Sequence, residues 1–357
     1  MNVDRFARLL TDYCLEVGPG QQVLVSSTTH AAPLLLALQR EILEREAWPL
    51  MRTALPGQDE TYWRHVKEAH LDGFPSSELA EARELDASLR IIASENASAL
   101  AGVKPARMAR AARARSPLRE LVLERRWAIT LWPTPAAAQQ AGMGTTAFAD
   151  FVTRALFLDR DDPVAAWGEL RDFQAGLIER LAPAREIHIE APGTDLRLNV
   201  EGRTWINSDG KRNMPSGEVF TGPHEGSAEG TIRFTVPSSP PGVVVEDVTL
   251  EFREGRVVRA RAERGDAYLQ ATLDADDGAR ALGELGIGTN FGIDRAIGTI
   301  LFDEKIGGTV HLALGRSYPE TGGTNESAVH WDLICDLRED GRISVDGDTI
   351  LEDGRFT

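Results

Sequence analysis

The amino-acid sequence predicts an N-terminal α/β domain with a mainly parallel sheet and a C-terminal α+β domain. Its 357 residues exceed the length that one hydrophobic core usually serves. In the first half, short apolar runs alternate with helical segments, which is typical of a parallel α/β sheet. From residue 186 onward, apolar and polar residues alternate, as they do in half-buried strands. We therefore predict two domains, residues 1–184 and residues 185–357.

The predicted elements of the N-terminal domain follow one another closely. An amphipathic helix covers residues 3–17 and ends at Gly18-Pro19-Gly20, because this triplet does not continue a helix. The next segments predict a first βαβ unit and two further strands, at residues 22–25, 31–46, 49–51, 89–93 and 127–132. Asp162 and Pro163 have the pattern of an N-cap followed by a first-turn proline, which predicts a helix up to about residue 181.

The C-terminal domain combines strands with a helix. Turn signals at Pro192-Gly193 and Glu254-Gly255 separate segments in which apolar and polar residues alternate. The spacing of apolar residues predicts a helix over residues 266–282. These elements together predict an α+β domain.

The charge balance of the chain excludes several partners. Asp and Glu outnumber Lys and Arg by 55 to 39, which gives a formal net charge of -16. Such a surface would repel the phosphate backbone of nucleic acids and an anionic membrane. No stretch reaches the roughly 20 apolar residues that span a bilayer, and no uninterrupted signal-peptide core is visible. Cys14 and Cys335 are isolated, which fits a reducing cytoplasm. We therefore expect a cytoplasmic protein, and the charge predicts that it has no nucleic-acid or membrane partners.

Two common kinds of functional site have no counterpart in the sequence. The glycines at 18–20 and 142–144 lack the spacing and context of a phosphate-binding loop. There is no Gly-x-Ser-x-Gly segment that would present a nucleophilic serine. Carboxylate and imidazole side chains are therefore the candidates for chemistry.

The candidate residues lie among glycines in the C-terminal half. His330 and Asp332 are two residues apart, so on a strand both side chains point to one face, as two ligands of one cation would. A buried histidine hydrogen-bonded to an aspartate, without metal, would have the same spacing. His311 lies in an apolar, strand-like run and needs a polar partner. Glu218 and Glu284 are flanked by glycine or proline, and the alternative for each is a turn residue that faces water.

Five segments carry a resemblance to a known family. In chain order they are NMPSGEVFTGP, GELGIGTN, GTVHLALG, YPETGG and SAVHWDL, and they lie between about Trp205 and Asp336. These segments resemble the thermophilic metalloaminopeptidase family of the aminopeptidase T and aminopeptidase S type. The resemblance implies a hydrolase that removes N-terminal residues from peptides with a free N-terminus. It also implies a homodimer, and an N-terminal domain that serves as scaffold and access gate.

The resemblance further implies a dinuclear metal site in the C-terminal domain, which would make it the metal-binding domain. The residues that match the family's ligands are Glu218, Glu284, His311, His330 and Asp332. Glu284 would bridge the two divalent ions. Tyr318 matches the family's active-site tyrosine, and the family's acidic residue shortly before the first histidine is matched by Glu304, with Asp303 as the alternative.

The chemistry of these side chains agrees with that picture. Mixed carboxylate and imidazole ligands suit zinc, cobalt or manganese. Two such cations about 3.5–4 Å apart would share a water, lower its pKa and polarise the scissile carbonyl. Glu218 or Glu284 would act as the general base, and the phenol of Tyr318 would hydrogen-bond the oxyanion.

Two other functions fit part of the same pattern. Another dinuclear metal hydrolase would use the same ligands on a different amide or on a phosphoester. A non-catalytic binding protein would use the carboxylates to hold a structural calcium ion, although the two histidines argue against calcium, which prefers oxygen ligands. Assays with aminoacyl anilides and phosphoesters distinguish the aminopeptidase from another hydrolase. Metal analysis of the purified protein tests the calcium-binding alternative.

Overall fold

The computed structural model describes residues 1–238 and 243–357 and divides the chain into two compact units. The first unit contains Met1–Ala166 and Gly210–Met214, and the second contains Trp167–Asp209 and Pro215–Thr357. The division falls inside one helix that runs from Pro163 to Leu181. The boundary predicted near residue 184 lies just after the end of this helix.

The secondary structure is mixed in the first half of the chain and mostly strand in the second. The helices are α1 (Val3–Arg8), α2 (Ala32–Glu44), α3 (Gln58–His65), α4 (Glu68–Leu71), α5 (Ser76–Glu84), α6 (Pro105–Ala114), α7 (Ser116–Leu123), α8 (Pro135–Gln140), α9 (Thr145–Ala155), α10 (Pro163–Leu181), α11 (Asp266–Leu273) and α12 (Ile300–Asp303). The strands are β1 (Gln22–Thr28), β2 (Trp48–Ala54), β3 (Ala87–Ile92), β4 (Arg126–Leu131), β5 (Glu186–Ala191), β6 (Thr194–Asn199), β7 (Ile206–Ser208), β8 (Asn213–Met214), β9 (Glu218–Thr221), β10 (Glu229–Phe234), β11 (Glu246–Arg253), β12 (Arg256–Arg264), β13 (Leu282–Gly288), β14 (Thr309–Gly315), β15 (His330–Asp336), β16 (Arg342–Val345), β17 (Asp348–Glu352) and β18 (Arg355–Phe356).

The first unit is built on a parallel sheet with the order β2-β1-β3-β4-β8. Each strand pairs with its neighbour in the parallel direction. Helix α2 buries Leu34, Leu38 and Ile42, which recur every four residues and so form one apolar face. Helix α1 continues as a π-helical segment, Leu9–Cys14, so the predicted helix from residue 3 is interrupted in its geometry. The α/β fold with a parallel sheet is confirmed.

The second unit contains two antiparallel sheets. The larger has the strand order β12-β11-β10-β6-β5-β16-β17-β18, and the smaller has the order β15-β14-β13-β9-β7. Both sheets contribute to one apolar core, in which Leu250, Ile343, Leu285 and Leu312 are buried. The smaller sheet carries the candidate site.

The helix predicted over residues 266–282 is wrong in its second half. Helix α11 ends at Leu273, and strand β13 begins at Leu282. Between them, the carboxylate of Asp276 accepts hydrogen bonds from the backbone of Gly278 and Ala328, which fixes a turn instead of a further helical turn. Glu284 consequently follows this turn on an extended strand.

Within residues 1–238 and 243–357, no helix is both long and apolar enough to cross a lipid bilayer.

Candidate metal centre

The five residues matched as ligands lie on one face of the smaller sheet. Side chains of a strand alternate between the two faces, and residues directly opposite each other on paired strands share a face. The opposed pairs are Gly288 with Glu218, Gly286 with His311, Glu284 with Ala313, Ala313 with Asp332, and Gly315 with His330. Their neighbours on the strands point to the other face and are buried in the core, among them Leu285, Val310 and Leu333. The alternation predicted for His330 and Asp332 therefore applies to all five residues.

The carboxylate of Glu284 lies between two imidazoles. Its Oε1 is 3.4 Å from Nε2 of His311, and its Oε2 is 3.5 Å from Nε2 of His330. Nε2 of His311 is also 3.5 Å from Oε2 of Glu218, and Nε2 of His330 is 3.6 Å from Oδ1 of Asp332. Glu284 is thus placed where it can contribute one oxygen to each of two neighbouring sites.

Three groups of side chains each offer ligand atoms within 4.8 Å of one another. They are Glu218 with Glu284 and His311, Glu284 with His330 and Asp332, and Glu304 with His311 and Asp332. Four carboxylates and two imidazoles therefore converge in one cluster, which we call the carboxylate–imidazole cluster.

The structure brings Glu304, and not Asp303, into this cluster. Glu304 follows directly after helix α12, and its carboxylate joins His311 and Asp332. Asp303 instead accepts hydrogen bonds from the backbone N–H groups of Ile297 at 2.8 Å and Thr299 at 2.9 Å. Its carboxylate therefore stabilises the chain before α12, and burial raises its pKa to about 7.

Lys305 contacts the cluster, and the sequence did not predict this contact. Its side chain is 1 % exposed, and Nζ donates hydrogen bonds to Oε1 of Glu218 and, at 2.6 Å, to Oε1 of Glu304. Burial by itself would lower the pKa of Lys305, but the two carboxylates raise it above its usual value. No local pattern in the sequence predicts a buried lysine here, because its partner Glu218 is 87 residues away in the chain.

A buried oxygen without a partner supports the fit of the cluster to a cation. Within the residues that the structure describes, Oε2 of Glu218 is buried and has no hydrogen-bond partner. A buried polar atom left in this way is costly, and a bound cation would satisfy a carboxylate oxygen. Carboxylate oxygens and imidazole nitrogens are also the donors that zinc, cobalt and manganese accept.

Nearly the whole chain matches a single family model. That model describes the thermophilic metalloprotease family M29, and the match covers residues 1–356. The chain belongs to this family. The match includes the N-terminal unit, whereas the five segments that carry the resemblance in sequence lie between Trp205 and Asp336.

Individual relatives of this M29 protein cover it at nearly full length. It is 32% identical over 396 residues to Aminopeptidase 2 of Geobacillus stearothermophilus, with 97% of this chain and 94% of that protein covered. It is 29% identical over 396 residues to Aminopeptidase T of Thermus aquaticus, with 99% and 95% covered. The solved structure of wild-type AmpT from Thermus thermophilus superposes with a TM-score of 0.86 at 26% identity, and covers 99% of this chain and 98% of that one.

Tyr318 of this M29 chain lies beside the cluster. Its ring centroid is 5.2 Å from that of His330 and 5.7 Å from that of Phe220. Burial, together with the nearby carboxylates of Glu284 and Asp332, raises the pKa of the phenol above its usual range. The phenol therefore stays protonated and able to donate a hydrogen bond at neutral pH.

An ion pair between Arg203 and the half-buried Glu225 holds the loop that contains Tyr318, and no pattern in the sequence predicted it. Oε1 of Glu225 accepts hydrogen bonds from the backbone N–H of Thr324 at 2.6 Å and from its hydroxyl at 2.9 Å. Oε2 of Glu225 accepts a hydrogen bond at 2.8 Å from Arg203, whose side chain is nearly buried. Glu225 thereby links Thr324 of this loop to Arg203.

The cluster of this M29 protein has strongly shifted protonation equilibria. Burial raises the pKa of Glu218 to about 7 and that of Asp332 to about 6. Burial by itself would lower the pKa of His311, but Glu284 and Glu218 raise it to about 9. For Glu284, burial acts to raise the pKa, yet His311 and His330 hold it below its ordinary value. A cation that binds to this cluster must therefore displace protons from it.

Proposed function

We propose that this M29 protein is a metal-dependent aminopeptidase that hydrolyses N-terminal residues from peptides through a water bridged by two divalent cations. The observation that carries the proposal is the position of Glu284, with one oxygen toward His311 and the other toward His330. The family is one of metalloproteases, and its relatives named above are aminopeptidases. Zinc, cobalt and manganese are the cations that the donor atoms favour.

The ligand assignment follows the grouping of the side chains. One cation would be held by Glu218, Glu284 and His311, and the other by Glu284, His330 and Asp332. Glu304 lies within reach of both sites through His311 and Asp332. Two imidazoles in the cluster disfavour calcium, which prefers oxygen ligands.

When bound, two such cations supply a nucleophilic water of lowered pKa and polarise the scissile carbonyl. A carboxylate of the cluster must then accept a proton, and Glu218 or Glu284 would do so as general base. The lower pKa of Glu284 suits a bridging ligand that stays ionised. The protonated phenol of Tyr318 would donate a hydrogen bond to the oxyanion, a contribution of roughly 3 kcal/mol.

The test compares substrates and metals on one preparation. We expect a protein stripped of metal by a chelator to be inactive, and zinc, cobalt or manganese to restore hydrolysis of aminoacyl anilides. An anilide whose amino group is acetylated is the matched control, and it should not be cleaved. Cleavage of a phosphoester in place of the anilides would instead assign the site to a different dinuclear hydrolase.

Further expectations from the sequence stay predictions. They are the homodimer, the cytoplasmic location and the role of residues 1–184 as scaffold and access gate. Light scattering on the purified protein measures the first of them directly. A molar mass of one chain would contradict the homodimer.

A further inference from the structure

Lys305 is buried beside two carboxylates of the cluster, those of Glu218 and Glu304. Its backbone is fixed on both sides, because its N–H donates to the carbonyl of Phe302 at 3.0 Å and its carbonyl accepts from the N–H of Asn290 at 3.0 Å. Its Nζ bonds to one oxygen of Glu218 and one oxygen of Glu304. A buried ammonium group is stable only where such partners compensate for its lost hydration. The position of Nζ is therefore determined by the two carboxylates.

The lysine binds one oxygen of each carboxylate, Oε1 of Glu218 and Oε1 of Glu304. In Glu218 this leaves Oε2, which is 3.5 Å from Nε2 of His311 and has no hydrogen-bond partner in the described part of the chain. A carboxylate fixed at one oxygen cannot rotate freely, so its second oxygen keeps a defined direction. For Glu218 that direction is toward His311 and the interior of the cluster.

We propose that Lys305 is a positioning residue of the metal centre. It holds one oxygen of Glu218 and one of Glu304, and so directs the other oxygen of Glu218 toward a divalent cation. This inference rests on the proposed function, because it requires that the cluster binds such cations. It goes beyond that function by making a residue that binds no cation necessary for the affinity of the site.

Two effects of Lys305 on a bound cation oppose each other. Its positive charge repels the cation, so removal of the lysine would strengthen binding by ending this Coulomb repulsion. Its hydrogen bonds orient two ligands, and the loss of such outer partners typically weakens metal binding about 10- to 100-fold. We expect orientation to dominate, because Glu218 and Glu304 lie in buried or nearly buried positions where a misdirected oxygen has little solvent to stabilise it.

The experiment titrates metal-free wild type, Lys305→Met and Lys211→Met with zinc in a calorimeter. Lys211 is the matched control, because its Nζ donates at 2.6 Å to Glu16 in the first unit. We expect Lys305→Met to weaken at least one of the two zinc-binding steps about 10-fold or more, and Lys211→Met to bind as wild type does. Two zinc-binding steps in Lys305→Met that are as tight as those of wild type, or tighter, would overturn the proposal. If wild type itself binds no zinc, the proposed function fails together with this inference.

A second measurement needs no variant and holds even if Lys305→Met does not fold. In a crystal structure of the zinc-loaded wild type, we expect Nζ of Lys305 to remain bonded to one oxygen of Glu218 and one of Glu304, with zinc at the other oxygen of Glu218. A structure in which Glu218 binds zinc through both oxygens, or in which Nζ has left the carboxylates, would overturn the proposal.

Discussion

The imidazole of His311 occupies the space in which a side chain at Gly286 would lie. The two residues are directly opposite each other on β13 and β14, and a Cβ atom at position 286 would be 2.1 Å from Cε1 of the ring. At that distance the two groups overlap, so the ring or the backbone would have to move. The glycine is therefore a requirement for the position of His311 between Glu218 and Glu284.

The first prediction concerns this contact. Gly286→Ala should displace the His311 ring, and so lower zinc affinity and kcat/KM by at least about 10-fold. Calorimetry and an anilide assay measure these quantities, and circular dichroism checks the fold. Gly176→Ala is the control, since a Cβ there meets no described atom within 4 Å and helix α10 should gain stability from alanine. Wild-type zinc affinity in Gly286→Ala would contradict the steric argument.

The second prediction concerns the phenol of Tyr318. Tyr318→Phe keeps the ring against His330 and Phe220 but removes the hydrogen-bond donor. We expect kcat to fall about 100-fold, with KM and zinc affinity nearly unchanged, because the donor would act only on the oxyanion. Tyr62→Phe, on an exposed position of the first unit, should behave as wild type does. Unchanged kcat in Tyr318→Phe would remove the tyrosine from the mechanism.

The third prediction concerns pH and the stability of the metal-free protein. Burial raises the pKa of Glu218 from 4.5 to about 7, so the folded state binds its proton more tightly than the unfolded state does. The contribution of this group to stability is complete below the unfolded pKa of 4.5 and is lost as pH rises through the folded pKa of about 7. The free energy of unfolding of wild type minus that of Glu218→Gln should therefore decrease between about pH 5 and about pH 8.

Urea unfolding of both proteins across this pH range measures the difference. Glu263→Gln, on the exposed part of β12, provides the control and should show no such trend. A difference that stays constant or increases with pH would show that Glu218 is ionised in the metal-free fold.

The fourth prediction concerns the ion pair of the buried Arg203 and the half-buried Glu225. Glu225→Ala removes three hydrogen bonds at once and leaves Arg203 buried without its carboxylate. We expect a loss of about 2–4 kcal/mol in the free energy of unfolding, and lower activity because the loop that begins at Tyr318 is released. Denaturant unfolding of Glu225→Ala beside Glu263→Ala tests this. A loss below about 0.5 kcal/mol, the scale of an ordinary surface change, would contradict it.

The sequence predicted that His330 and Asp332 share a face because strand geometry has a period of two. Glu218, Glu284 and His311 joined the predicted ligand set only through the resemblance of the five segments to the family. The α/β character of the first unit could also be predicted, since each apolar run and the helix after it are consecutive in the chain. Local pattern was sufficient in these cases.

Features that depend on distant contacts could not be predicted in the same way. Strand β8 is only two residues long and joins the first sheet by pairing with β4, about 80 residues earlier in the chain. Lys305 is buried because Glu218, 87 residues away, lies beside it, and lysine is otherwise a surface residue. Asp303 was an alternative to Glu304 as a ligand, but its carboxylate accepts hydrogen bonds from the backbone N–H groups of Ile297 and Thr299. Only the fold determines that these N–H groups lie near Asp303.

The most direct test of the proposed function adds zinc stepwise to the metal-free protein and follows release of the N-terminal residue from a peptide with a free amine. We predict negligible activity without metal, and a rise that reaches its plateau at about two equivalents per chain. Full activity without metal, a plateau at one equivalent, or no release of the N-terminal residue at any zinc concentration would contradict it.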